Sequence, residues 1–433
     1  MDSRVIAALI VVVIIVAALG YFMTREGEQA GEAGTGTGET GKTMTIRVGL
    51  LVDETGPTSD VGKGYSLGAE TAFKYFNEKG IYTKDGVRVK IEYIKRDYAY
   101  KPDQAEAFYK EFRDRYGVIA IIGWGTADTE KLADAVARDK IVYISASYSA
   151  KLTVKPFNFF PAPDYSTQAC AGMAWAAEKE PGGKLALLYD HKVAYSRSPI
   201  PAIKAVAQAL GLQLVGDYDL SLKATEASAE RVVSSAAAEN PDILWCGNTI
   251  SSCTLAARAM GKIGLDAMLL ANVWGFDERV PDLVGEGGYG KIAGISPFVY
   301  PMFADDMNAD GINVLREAAQ MAGVPDDKIN LRFLQGFLNV WLLVQAIERV
   351  DSQSLQDKGG EALKQALESS CNGEPFTFGG LTADEVRFCP GEHLAHKKVF
   401  IVELTPQGSL AMSGPYEAPQ QVDCVKATIE AQG

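Results

Sequence analysis

From residue 45 onward the chain alternates short apolar runs with longer stretches whose apolar residues recur every three or four positions. The short runs fall at 46–52, 87–94, 118–122, 141–144, 184–189, 212–218, 243–246, 268–271 and 292–297, and each reads as a buried strand. Between most of them lie amphipathic segments at 65–78, 102–115, 129–138, 200–210, 227–238 and 254–263, long enough for helices. Strands that are apolar throughout, separated by helices, predict right-handed crossovers and parallel sheets covered on both faces. Nine or more strands fit two sheets more comfortably than one. The expected fold class is α/β, with two doubly wound lobes.

The beginning of the chain follows a different pattern. Residues 5–22 carry no charge and no proline, just enough length for a membrane-spanning helix. A cleaved export signal is the alternative, but no convincing A-x-A site follows, nor a cysteine that could take a lipid. Residues 1–24 are therefore expected to be a signal anchor or an export signal, and both place the rest outside the cytoplasm. The flanking Arg4 and Arg25 do not decide the orientation. Residues 27–43 are Gly, Thr and Glu with almost nothing apolar, so 25–44 reads as a flexible linker spanning about 25 Å. A domain tethered close to the cell membrane follows.

Composition narrows the function classes. Lys+Arg 42 against Asp+Glu 55 gives a net charge of -13, so the cationic surface that nucleic acid demands is missing. The three histidines, His191, His393 and His396, are too few for a multi-histidine metal centre. Six cysteines with no C-x-x-C suggest paired thiols outside the cytoplasm. Cys371, Cys389, His393 and His396 resemble a zinc set superficially, but an exported domain favours a Cys371–Cys389 disulfide closing a loop. Cys246 and Cys253 are placed to pair across a strand-to-helix turn. Cys170 and Cys424 have no assignment from sequence.

In doubly wound sheets ligands sit beyond the carboxyl ends of the strands, so the loops there carry the candidate chemistry. Gly123-Trp124-Gly125-Thr126-Ala127-Asp128-Thr129 ends a strand and opens a helix whose free N–H groups suit a carboxylate or another electron-rich group. Thr126 as a simple helix cap is the plainer alternative, and Asp128 and Glu130 would themselves complement the helix start. At the next strand end, Ser147 and Ser149 offer hydroxyls and Tyr148 a ring, although such hydroxyls often satisfy only their own backbone. Tyr195 and Trp274, on loops of the second half, are either pocket walls or core. The glycine runs 62–68 and 285–290 fail as dinucleotide fingerprints by spacing or context, and no nucleophile elbow, Walker loop or H-E-x-x-H occurs. An enzyme is not expected, and no cofactor.

The segment G-P-T-S-D-V-G-K-G-Y-S-L-G-A-E-T-A at 56–72, followed by N-E-K-G-I at 77–81, resembles the opening of branched-chain amino-acid-type solute-binding proteins of ABC importers. The glycine loop at 123–129, I-S-A-S at 144–147, F-L-Q-G-F at 333–337 and, loosely, the segment ending at His393 are similar too. The resemblance runs from about residue 45 to the end. It implies a type I periplasmic-binding fold, two lobes joined by three crossovers, with lobe 1 at 45–165 and 300–370 and lobe 2 at 166–299 and 371–433. It also implies that Thr126, Ala127, Ser147 and Ser149 hold a carboxylate or equivalent head, that Val61 and Phe337 line the first lobe, and that Tyr195 and Thr249 close from the second. Where amino-acid binders of the family place an acidic residue for the ammonium group, this chain has Asn272, Val273 and Trp274, so an amide, an aromatic or an aliphatic acid stays open. The expectation is a monomeric solute-binding protein that delivers its ligand to ABC permease subunits. A sensory ectodomain of the same fold is the alternative, and an extracytoplasmic α/β enzyme a weaker one.

Overall fold

The computed structural model describes residues 42–432. The expected anchor at 1–24 and nearly all of the linker lie outside the described residues. Among the described residues no helix is long and apolar enough to cross a membrane. The first strand takes Thr43 and Met44 from the expected linker.

Among the described residues thirteen strands form two sheets. The first contains β1 (Thr43–Val52), β2 (Ile81–Tyr82), β3 (Arg88–Asp97), β4 (Ala120–Gly123), β5 (Val142–Ser145) and β6 (Asn158–Phe159), in the order β2-β3-β1-β4-β5-β6. The second contains β7 (Lys184–Tyr189), β8 (Gln213–Asp219), β9 (Ile243–Cys246), β10 (Met268–Ala271), β11 (Ile292–Ser296), β12 (Lys398–Leu404) and β13 (Leu410–Glu417), in the order β13-β12-β11-β10-β9-β7-β8. The nine expected strands are present, and their mutual pairings are parallel. The edges depart from the all-parallel expectation: β2 runs antiparallel to β3, and β12 and β13 form an antiparallel pair on β11. Central strands β4, β5, β9 and β11 are buried at every position, as coverage on both faces requires.

Chain order differs from spatial order at one place in each sheet. After β1 the chain first builds β3 on one side and then β4 on the other; after β7 it builds β8 and then β9. The carboxyl ends of β1 and β4, and of β7 and β9, therefore diverge into the crevice where such sheets take ligands.

Three passages join the lobes. The chain leaves the first sheet after β6 and returns after β11 with helices Ile312–Ala322, Leu331–Glu348, Ser352–Lys358 and Gly360–Glu368. Helix Leu331–Glu348 lies backbone to backbone on helix Ser59–Lys79: a Cβ on Gly336 would fall 1.9 Å from the Tyr65 carbonyl oxygen, and one on Gly68 1.9 Å from that of Phe333. The third passage comes later than the expected boundary at 371. Residues after Cys371 stay with the first lobe, where Phe388 packs edge-on to Phe159 at 5.2 Å and the His393 N–H donates to the Thr153 carbonyl at 2.6 Å. The chain crosses over only on entering β12.

The cysteines all pair. Cys246–Cys253 and Cys371–Cys389 are bonded, and Cys170–Cys424 ties the helix Cys424–Gln432 to the helix Tyr165–Lys179. Stacked between Phe159 and an Asn158 carbonyl contact of 2.8 Å, His393 is a packed core residue, and His396 is buried. No group of three metal-ligating side chains assembles among the described residues.

Candidate ligand site between the lobes

The loops beyond the diverging strand ends form a narrow hollow of about 20 Å³, lined by Thr58, Val61, Tyr100, Trp124, Gly125, Thr126, Ala146 and Tyr165, with Tyr195, Thr249 and Trp274 from the second lobe. The lobes are in contact across it. Trp124 and Trp274 meet edge to face, their centroids 4.9 Å apart.

On the first-lobe side the loop after β1 is held by Asp53. Its carboxylate accepts from the Thr58 hydroxyl at 2.6 Å, the Thr58 N–H at 2.9 Å and the Gly56 N–H at 2.5 Å. The Trp124 indole N–H then donates to the Thr58 hydroxyl oxygen at 2.8 Å, fixing the ring over the hollow. Gly125 is required because Tyr98, Tyr100 and Asp128 crowd its backbone: a Cβ there would lie 2.3 Å from the Tyr98 hydroxyl. Burial pushes the Asp128 carboxyl up to about 7, although the Tyr98 hydroxyl donates to it at 2.7 Å.

The second-lobe side is organised by two asparagines. Asn272 accepts from the Tyr195 hydroxyl and, at 3.1 Å, from the Trp274 N–H. Asn248 accepts from the Ser196 hydroxyl at 2.8 Å and donates to the Leu220 carbonyl at 2.7 Å. The Trp274 indole reaches across to donate to the Tyr165 hydroxyl at 3.0 Å. Burial holds the Tyr195 and Tyr100 phenols far above their ordinary range, so both are neutral donors.

Polar bonds close the seam beside the hollow. Arg332, on the first-lobe helix Leu331–Glu348, is 1% exposed and donates to Asp277 at 3.0 Å, the Val273 carbonyl at 2.9 Å and the Phe276 carbonyl at 2.7 Å. Its guanidinium lies 5.0 Å from the Trp274 ring centroid. Asp60 accepts from the Ser251 hydroxyl at 2.6 Å, and its carbonyl from Arg279 at 2.9 Å.

The sequence-derived candidates divide accordingly. Val61, Trp124, Thr126, Tyr195, Thr249 and Trp274 line the hollow. Ser147 does not: its hydroxyl is spent on Thr126 Oγ1 at 3.0 Å. Ser149 donates to Glu130 at 2.6 Å, and Ala127 stands outside the lining. Tyr148 is one layer behind, stacked 5.9 Å from Trp274. Phe337 is helix-packing core, set among Phe76, Tyr75 and Trp341 at 5.6–6.2 Å. Thr58, Gly125 and Ala146 stand in loops the sequence marked; Tyr100 follows the β3 end, where the strand-end rule would have found it. Tyr165, opening the helix that follows β6, gave no signal.

The family model for periplasmic binding proteins matches residues 45–409. The chain is a periplasmic binding protein. A crystal structure of an ABC transporter substrate-binding protein from Aeropyrum pernix is 69% identical, with a TM-score of 0.87 over 89% of this chain and 99% of that one. More distant likenesses show the fold: a branched-chain amino acid ABC transporter protein from Thermus thermophilus with bound valine (20% identity, TM-score 0.77, 90% and 99% covered). Another is a fatty acid ABC transporter substrate-binding protein from Thermomonospora curvata (19%, 0.72, 90% and 96%). No curated protein matches the sequence. The periplasmic binding protein is thus a solute-binding component of an ABC transporter, extracytoplasmic and not an enzyme.

Proposed function

We propose that this binding protein captures one small solute in the hollow between its lobes and presents the closed form to ABC permease subunits, acting as a monomer. The reading is carried by one observation: the lining comes from both lobes, at the carboxyl ends of the strands where each sheet diverges. Contacts made from both sides exist only when the lobes are shut, so a solute that makes them shifts the population toward closure. No bond in the solute needs to break. Of the structures named above, one holds valine and one belongs to a fatty acid transporter, and this chain's solute falls within a range of amides, aromatic or aliphatic acids and branched-chain amino-acid-like compounds. The segment at 1–24 would tether the domain to the cell membrane.

Titration of the purified protein with panels of such solutes, followed by tryptophan fluorescence and melting temperature, tests the reading. Trp124 and Trp274 report on the seam directly. At a hundredfold excess over Kd a one-site ligand adds about 2.7 kcal/mol. A rise in Tm that saturates with one class is the expected result; silence across the panels would remove the proposal.

A further inference from the structure

We propose that the hollow takes an uncharged solute, with a flat or branched apolar body and one carbonyl or amide group, and discriminates against carboxylates and zwitterions of the same shape. This narrows, and rests on, the solute-receptor reading above.

Five of the eleven lining residues are aromatic, and none of the eleven is Asp, Glu, His, Lys or Arg. The helix start that would hold a carboxylate is partly taken by the protein. The Gly125 N–H donates to the Tyr98 hydroxyl at 3.1 Å, and the Tyr100 ring crowds the same turn. The Asp128 carboxyl accepts from the Tyr98 hydroxyl at 2.7 Å, keeps its second oxygen unpaired, and stands 1% exposed beside this helix start. A second anion there would meet like charge in a low-dielectric setting.

Nor does any carboxylate line the hollow to receive an ammonium group. Both oxygens of Asp53 are spent on Gly56 and Thr58, and Asp277 is spent on Arg332 and Arg279. Arg332 further places a cation behind the Trp274 ring. Among the lining side chains one fully buried polar atom has no partner. The Thr249 hydroxyl is buried, has no partner, and lines the space. A hydroxyl can give or take a single hydrogen bond, which suits a carbonyl or amide; it is far too little to offset the desolvation of a charge.

Matched sets separate the possibilities: isobutyramide, isobutyrate and valine; benzamide, benzoate and phenylalanine. Each is titrated into the full-length protein at neutral pH by calorimetry, with Tm measured alongside. An amide that binds at least 30-fold more tightly than its carboxylate and amino-acid counterparts supports the inference. Thr249→Val should then weaken that amide about five- to tenfold with the ligand-free Tm unchanged, because Thr249 makes no capping bond to its own helix. Asp128→Asn should narrow the discrimination against the carboxylate. Binding of a carboxylate or zwitterion as tightly as its amide overturns this inference and leaves the receptor reading standing. Silence of every member, neutral and charged, in both heat and Tm counts against the receptor reading and this inference together.

Discussion

Replacing Arg332 with Met would remove the largest polar grip between the lobes while keeping an apolar stem of similar reach. The arginine is fully buried, and three of its hydrogen-bond partners, Asp277 and the carbonyls of Val273 and Phe276, belong to the other lobe. Removing one member of a buried ion pair costs about 3–5 kcal/mol when the other is stranded. Asp277 keeps Arg279, at 2.6 and 2.9 Å, so the lower end applies: about 3 kcal/mol. Where that cost falls is the point. If the lobes part in solution, water reaches Asp277 and the two carbonyls in the open form, and the loss weighs on closure rather than on folding. About 3 kcal/mol is a factor of roughly 100 in the closed population, and apparent Kd rises by up to that factor. Calorimetric Kd for a stabilising solute and the radius of gyration of the ligand-free protein by X-ray scattering read this out. Arg332→Met should weaken binding about a hundredfold and enlarge the free protein, with little change in its Tm. A sharp drop in Tm with Kd unchanged would refute the reasoning and make the pair a folding element.

Phe337→Leu tests the reassignment of Phe337 to core: stability should fall by about 1 kcal/mol in denaturant melts while solute affinity stays within twofold. Acidification from pH 8 to 6.5 should raise Tm. Burial holds the carboxyls of Asp128 and Glu278 up to about 7 and Asp164 up to about 6, so the folded state binds protons in this window that the unfolded chain, titrating near 4, does not. The gain is about 1–2 kcal/mol, and below pH 6.5 His396, held down to about 4 by burial, offsets part of the further gain. A Tm that declines steadily across pH 8 to 6.5 in calorimetry would contradict this. Among the disulfides, Cys170–Cys424 spans 254 positions and Cys246–Cys253 seven, which gives about 5 against about 2 kcal/mol of denatured-state restriction. Paired Cys→Ser variants should lose Tm in that order, and the reverse order would mean that strain or residual structure dominates.

What the sequence made legible was whatever is written locally. Apolar runs such as 243–246 and 268–271 are buried on both faces wherever they fold, so periodicity alone finds them, and the strand-end rule then points to Trp124, Tyr195 and Thr249. Contacts made by residues far apart were hidden. Strand β12 has an equally clear apolar pattern, but its antiparallel place beside β11 depends on a return passage that no local signal announces. Cys170 finds Cys424 only because helix Cys424–Gln432 folds back over helix Tyr165–Lys179. The glycine loop invited a carboxylate on its own evidence; Tyr98, arriving from the end of a different strand, takes the Gly125 N–H, which the loop's own sequence does not show. Ser147 and Phe337 stand outside the lining, each with a protein partner, Thr126 and Phe76, that spacing could not reveal.

The three passages of the backbone have a consequence for how the molecule comes into being. Helix Leu331–Glu348, which covers the first sheet, is made after nearly the whole second sheet, and β12, which β13 needs as its neighbour, comes later still. Neither half is a contiguous stretch of sequence, so neither can be finished during synthesis until the final third of the chain has emerged. Pairings between such distant segments form slowly. A polypeptide that must be threaded through a translocation pore before it folds gains from that delay, because the order of its segments postpones compaction until the journey is nearly over.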